Sequence, residues 1–178
     1  MRLRSDQARA DLESPGCVEA HGFKVYSQSD EDGNIAEIFH RIGTTNKIFV
    51  EFGAEIGLES NCRLLLEQDW TGLWIEGNKD YAAIIETVFS TQIETGQLRF
   101  ISEFVSVESI NRLIEEAGIA GQIDLLSIDI DGNDYHIWNA IEVIDPRVIV
   151  AEHNGYPPPF GCVMPYTPAL RRGCQDGA

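Results

Sequence analysis

Basic residues are scarce in this chain. Its 13 Lys and Arg side chains stand against 29 Asp and Glu, which gives a formal net charge of −16 over 178 residues. A surface of this sign repels phosphates and anionic lipid headgroups, so the composition argues against nucleic acid or a membrane as a main partner. The same charge also keeps a protein soluble, and that role requires no ligand.

Long apolar runs are missing as well. No stretch approaches the ~20 apolar residues of a membrane span. The first 13 residues carry charges where a secretory signal has its apolar core. The four cysteines are scattered without a Cys-x-x-Cys pair, which favours reduced thiols over disulfides or a zinc site. We therefore expect a cytoplasmic protein.

Hydrophobic residues make up 43% of the chain, enough for a core, and they alternate between strand-like and helix-like patterns. The predicted strands are 47–52, 72–76, 98–101, 123–130 and 147–151. Such alternation predicts an α/β fold, a three-layer sandwich with a mostly parallel, Rossmann-like sheet. We predict a disordered segment at 1–22, one domain at 23–156 and an irregular tail at 157–178.

The first predicted strand runs into a turn with two glycines, Gly53 and Gly57. The second strand ends on Glu76, nineteen residues after Gly57. Strand, glycine turn, helix, strand and terminal acid are the parts of a nucleoside-binding βαβ unit. The glycines let the backbone approach the ligand, and the acid binds ribose hydroxyls. A glycine turn that serves only as a tight connection stays open as an alternative.

The Gly-x-Gly-x-x-Gly spacing of dinucleotide folds is absent. The chain instead has Glu51-x-Gly53-x-x-x-Gly57. The Glu51 carboxylate would repel a pyrophosphate but suits S-adenosylmethionine (SAM), which carries a sulfonium and an α-ammonium. The pattern therefore favours a methyl donor over NAD, with a nicotinamide-dependent oxidoreductase as an alternative.

A second group of polar residues follows the fourth and fifth strands. Asp129 and Asp131 end the fourth, and Glu152 and Asn154 follow the fifth. Carboxyl ends of parallel strands meet at one edge of a sheet, so these side chains should lie together. They suit a hard divalent ion such as magnesium. Alternatively, Asp129 or Glu152 acts as a metal-free base.

Nearby residues have structural explanations. Asn133 and Asp134 stand where a helix should begin, and we expect one of them to cap it. His153 is a weaker candidate for carrying a proton, because alternation turns it away from Glu152. The sequence has no nucleophile elbow of the Ser-His-Asp hydrolases, so their chemistry lacks its main signal.

Several short motifs resemble the FkbM-type SAM-dependent methyltransferases in their order and spacing. They are Ser27-Gln28 with Glu31-Asp32-Gly33, FVEFGAEIGLESN, LWIEGN, LLSIDIDGNDYHIW and PRVIVAEHN. The resemblance spans about Tyr26 to Pro159. It implies a class I methyltransferase fold and methyl transfer, usually to an oxygen of a small molecule or sugar.

The resemblance also implies roles for single residues. Glu51, Gly53 and Gly57 would line the methionine part of SAM, and Glu76 would hold the ribose. Glu103 or Phe104 would lie by the adenine. Asp129 would sit near the transferred methyl group.

The resemblance further implies two last strands that form an antiparallel hairpin, but the stretch after Asn154 is short and rich in Pro and Gly. We therefore expect a chain truncated after its fifth strand, which makes an inactive SAM-binding domain a further alternative. Without the hairpin, the edge at Val148–Val150 is apolar and β-branched. Such an edge invites self-association.

Overall fold

The computed structural model describes residues 16–152 and 166–167. Its five strands are β1 (Ile48–Phe52), β2 (Thr71–Ile75), β3 (Leu98–Ile101), β4 (Gly121–Ile128) and β5 (Ile144–Ala151). Its α-helices are α1 (Glu31–Ile42), α2 (Arg63–Glu67), α3 (Lys79–Val88), α4 (Ser90–Glu94), α5 (Ile110–Glu116) and α6 (Asp134–Ala140). The strands form one parallel sheet in the order β3-β2-β1-β4-β5. The predicted α/β fold with a Rossmann-like sheet is confirmed.

The sheet is covered on both faces because neighbouring strand residues point in opposite directions. Phe49 of β1 packs in one buried cluster with residues of α1, α2 and α3. Val50, the next residue, packs in a second cluster with residues of α5 and α6. The central strands β1 and β2 are buried on both sides along most of their length, which accounts for their apolar residues.

Strand boundaries differ from the prediction mainly in β5. The strand begins at Ile144, three residues before the predicted start, and includes Pro146. A proline is tolerated there because β5 pairs only with β4 among the described residues and so lies at an edge. The predicted self-association through this edge stays a prediction. Light scattering across micromolar concentrations measures it, and a monomer throughout would contradict it.

One buried carboxylate ties three strands together at the amino end of β1. Asp124 of β4 is fully buried and accepts hydrogen bonds from the backbone N–H groups of Thr45, Asn46 and Lys47, at 2.8 to 3.0 Å. Nη1 of Arg147 in β5 donates to it at 2.7 Å. Burial opposes ionisation, but these bonds outweigh it and lower the Asp124 pKa to about 2. No sequence motif indicated this junction.

The segment before α1 packs on that helix. Val18–His21 forms a 3-10 helix, and the Gly33 N–H donates to the Phe23 carbonyl at 3.0 Å. A side chain at Gly33 would collide with the backbone of residues 21–23. Part of the segment predicted to be disordered, 16–22, is thus described here, while residues 1–15 lie outside the description. So do the predicted ligand Asn154 and the tail 157–178, apart from Tyr166 and Thr167.

Among the described residues, no helix has the length and apolar character needed to cross a bilayer.

Candidate functional site

A pocket of about 490 Å³ lies outside the carboxyl ends of β1, β4 and β5. Six acidic residues line it, namely Glu31, Glu51, Glu55, Glu59, Asp129 and Glu152. The other lining residues are Gln28, Gly53, Ser60, Asn61, Val150 and Ala151. No Lys, Arg or His of the described chain is among them. The pocket therefore attracts cations and repels anions.

Gly53 allows the ends of β1 and β4 to come together. Its φ is 75°, and a Cβ built on it would overlap the carbonyl oxygen of Asp129. Only glycine combines this left-handed backbone with so close an approach. Both residues line the pocket.

Glu51 holds the loop that covers the pocket. Its side chain is 3% exposed and accepts hydrogen bonds from Ser60 Oγ at 2.6 Å and from the Asn61 N–H at 3.0 Å. Burial raises the pKa of Glu51, and these hydrogen bonds oppose the rise. Glu51 thus lines the pocket and also holds the loop after Gly57, and its place beside the methionine part of SAM stays a prediction.

Glu76 lies next to this loop, at the end of β2. It is 5% exposed, and its carboxylate accepts from the Glu55 N–H at 2.9 Å and from the Asn78 N–H at 2.7 Å. Glu76 is not among the residues that line the pocket, but it holds the backbone of Glu55, which does line it. Glu76 thus shapes the turn after β1, and its role at the ribose stays a prediction.

The two adenine candidates differ in their surroundings. Phe104 packs over Gly77, where a Cβ would run into its ring, and Phe104 is 37% exposed. Its ring thus borders the end of β2 next to Glu76. Glu103 is paired with Arg112 at 2.7 Å on the surface. An apolar ring suits a base better than a paired carboxylate, so Phe104 is the stronger candidate.

Gly57 faces the core rather than the pocket. Its φ is 73°, and a Cβ there would meet the rings of Trp74 and Phe89 at 2.7 and 2.8 Å. The resemblance placed this residue beside the methionine part of SAM. The structure instead uses it to let the loop pass over two aromatic side chains.

The second predicted group comes together as expected. Carboxylate oxygens of Asp129, Asp131 and Glu152 lie within 4.8 Å of one another. Asp134 shapes the connecting loop, because its carboxylate accepts from the N–H groups of Ile130 at 3.0 Å and Gly132 at 2.8 Å. The three acids are close enough to share a cation.

Asn133 stands at the N-cap position of α6, but its side chain makes no capping bond. Its amide instead pairs with the Thr167 backbone: Nδ2 donates to the carbonyl at 3.0 Å, and Oδ1 accepts from the N–H at 3.3 Å. Tyr166 lies edge-on to His136 of α6, with ring centroids 5.7 Å apart. The expectation of a side-chain cap was wrong for Asn133, since a distant segment takes its amide.

Sequence reasoning missed eight of the twelve residues that line the pocket. The missed residues are Gln28, Glu31, Glu55, Glu59, Ser60, Asn61, Val150 and Ala151. Gln28 and Glu31 belong to the motif at the start of α1, and four others lie in the loop after Gly53. The signal for the first pair was present, because that motif is part of the family resemblance.

A structure from Staphylococcus aureus, provisionally named a caffeoyl-CoA O-methyltransferase, is 15% identical and covers 76% of this chain and 66% of its own, with a TM-score of 0.49. The N-terminal domain of EvdMO1, solved with SAH bound, is 20% identical and covers 71% and 53%, with a TM-score of 0.37. Full EvdMO1 is 22% identical, with coverage of 78% and 31% and a TM-score of 0.39. The chain thus spans 31% to 66% of the length of these proteins. No curated protein matched it.

The model of one protein family, the methyltransferase FkbM domain, matches residues 73–172. This range is more than half of the chain and contains the Asp129, Asp131 and Glu152 cluster. The predicted FkbM-type resemblance is confirmed, and the chain belongs to the methyltransferase FkbM domain family.

Proposed function

We propose that this chain binds SAM in the acid-lined pocket and transfers its methyl group to an oxygen of a small molecule or sugar. The observation that supports this most is the pocket itself, with six carboxylates and no described basic residue at the carboxyl ends of β1, β4 and β5. Ligands of open α/β sheets bind at that edge. SAM brings a sulfonium and an ammonium to it, whereas the NAD pyrophosphate would meet like charge. This charge pattern and the family disfavour the oxidoreductase alternative.

Each residue at the site has a separate role in this proposal. Glu76 accepts hydrogen bonds from the ribose hydroxyls of SAM, and Glu51 and Gly53 border its methionine part. When bound, SAM supplies a methyl group already activated by its sulfonium. The protein then has mainly to hold an acceptor oxygen in line with that methyl group. Asp129 or Glu152 takes the acceptor's hydroxyl proton. Because the lining is acidic, the acceptor is neutral or cationic at this end.

Ligand stabilisation tests SAM binding directly. A ligand at 100 times its dissociation constant stabilises a protein by about 2.7 kcal/mol. SAM and S-adenosylhomocysteine should therefore raise the melting temperature, and NAD should not. Glu76→Ala should weaken SAM binding by about 1.5–3 kcal/mol, the worth of hydrogen bonds to a charged acceptor. Glu86→Ala, at an exposed position of α3, is the control. Equal SAM affinity in both variants would remove Glu76 from the site.

A metal-assisted version of the reaction is also open. Asp129, Asp131 and Glu152 would hold a magnesium ion, with Asn154 as the fourth predicted ligand. The ion would orient the acceptor hydroxyl and lower its pKa. Calorimetry should then show that magnesium binds the wild-type protein and that Asp129→Asn abolishes this binding. The control variant Asp145→Asn, on the exposed part of β5, should still bind magnesium. Absence of magnesium heat with and without SAM would leave Asp129 or Glu152 as a metal-free base.

The inactive-domain alternative makes a separate prediction. Such a domain would bind SAM and turn over none of it with any acceptor. Release of S-adenosylhomocysteine in the presence of a panel of hydroxylated small molecules and sugars would contradict it.

A further inference from the structure

We propose that the side-chain amide of Gln28 binds the carboxylate of SAM. This inference rests on the proposed function and adds a residue to it. SAM carries one anionic group beside its two cationic ones. That carboxylate would enter a pocket lined by six others, with no basic side chain from residues 16–152 and 166–167. Among the described residues, its partner is therefore a neutral hydrogen-bond donor.

Three neutral polar side chains line the pocket, and two of them are engaged. Ser60 Oγ donates to Glu51 at 2.6 Å. Asn61 Nδ2 donates one of its two N–H bonds to Ser127 Oγ at 3.1 Å, which holds the side chain in place. The Gln28 amide has no hydrogen-bond partner within the described part of the chain, and its NH₂ group offers two donors. Gln28 is thus the side chain best able to meet an anion there.

The backbone that carries Gln28 is fixed in advance. Asp32 is 2% exposed, and its Oδ2 accepts from the N–H groups of Val25, Tyr26 and Ser27 at 2.7, 2.6 and 2.9 Å. Ser27 Oγ accepts in return from the Asp32 N–H at 3.1 Å. These four bonds hold the turn just before Gln28. A donor on a rigid segment loses little conformational freedom when it binds a ligand.

Lys24 is the competing candidate, because it is the cation attached to the same segment. Its Nζ donates to the Gln28 carbonyl at 3.0 Å and pairs with Glu59 at 3.3 Å. It does not line the pocket. Through these two contacts Lys24 links the Gln28 backbone to Glu59 at the pocket rim, and its ammonium is paired with the Glu59 carboxylate. The structure therefore favours the Gln28 amide over the Lys24 ammonium as the partner of the SAM carboxylate.

Two ligands that differ only in the carboxylate test this assignment. Decarboxylated SAM keeps the sulfonium and the amine. Calorimetry should show that Gln28→Ala weakens SAM binding by about 10-fold, as expected for a hydrogen bond to a charged group, and leaves decarboxylated SAM within about 2-fold. Gln28→Glu should weaken SAM by about 100-fold, since it places a carboxylate against the ligand's own, and should leave the decarboxylated ligand unaffected or bound more tightly.

Gln122→Glu makes the same change at the exposed start of β4, far from the pocket edge, and should keep the wild-type ratio of the two affinities. Equal losses for both ligands in the Gln28 variants, or no loss, would overturn the role of Gln28. So would a selective loss of SAM in Lys24→Ala alone. If neither ligand binds the wild-type protein, the proposed function itself fails, and the inference fails with it.

Discussion

Asp124→Asn should lower the free energy of unfolding by about 3–5 kcal/mol, the usual cost of leaving one partner of a buried ion pair alone. Asp124 is fully buried, and its carboxylate joins the turn before β1 to Arg147 of β5. Asn keeps the shape of the side chain but removes the charge and one acceptor oxygen. Urea unfolding followed by tryptophan fluorescence measures the loss.

Asp145→Asn removes the same charge from an exposed position of β5 and should change stability by less than about 0.5 kcal/mol. Similar values for the two variants would show that the Asp124 junction contributes little. In that case the order of the sheet would depend on its apolar faces alone.

The same carboxylate predicts a pH dependence. Its pKa falls from 3.8 to about 2 on folding, so the unfolded state binds more protons between these values. The contribution of Asp124 is therefore fully present above about pH 5 and is lost as the pH falls through about 2, with a size of about 2 kcal/mol. Stability of the wild type should drop more steeply than that of Asp124→Asn in this window.

Gly53→Ala should abolish SAM-induced stabilisation and lower stability by about 2–5 kcal/mol. The left-handed backbone alone costs a residue with a Cβ about 1–2 kcal/mol. The Cβ would also overlap the Asp129 carbonyl oxygen, and forcing extra volume into a packed site costs about 1–3 kcal/mol more. Moving Asp129 away from β1 deforms the pocket that both residues line. Thermal shifts with and without SAM measure both effects.

Gly96→Ala is the matched control. Gly96 has the same φ of 75°, but a Cβ there would meet nothing within 4 Å. The Gly96→Ala variant should lose only the stability that corresponds to the strained left-handed backbone, and its melting temperature should rise with SAM as much as that of the wild type. If Gly53→Ala keeps that response too, the close approach of β1 and β4 is not what forms the binding site.

Four of the twelve pocket-lining residues, Glu51, Gly53, Asp129 and Glu152, were candidates from the sequence, because their signals are local. Glu51, Asp129 and Glu152 each end an apolar strand, and carboxyl ends of parallel strands share one edge whatever the order of the strands. Their common pocket was therefore predictable. So was the closeness of Asp131, which follows Asp129 by two residues.

The two glycines show where this reasoning stops. Gly53 and Gly57 belong to the same motif and have the same sign of φ, yet one borders the pocket and the other lies against Trp74 and Phe89. A motif fixes the backbone conformation that a glycine permits. It does not determine which residues lie where a side chain of that glycine would point, because those residues belong to other elements.

The sequence by itself determined the strands, the acids at their ends and the family. Only the tertiary structure decided which distant groups meet. Asp124 reaches a turn 79 residues earlier, Asn133 pairs with Thr167 instead of capping its helix, and Gln28 arrives at the pocket from before the first strand. Periodicity and spacing describe neighbours along the chain. Contacts between remote segments depend on how the sheet orders its strands and how loops pack on its edge, and no local pattern encodes that.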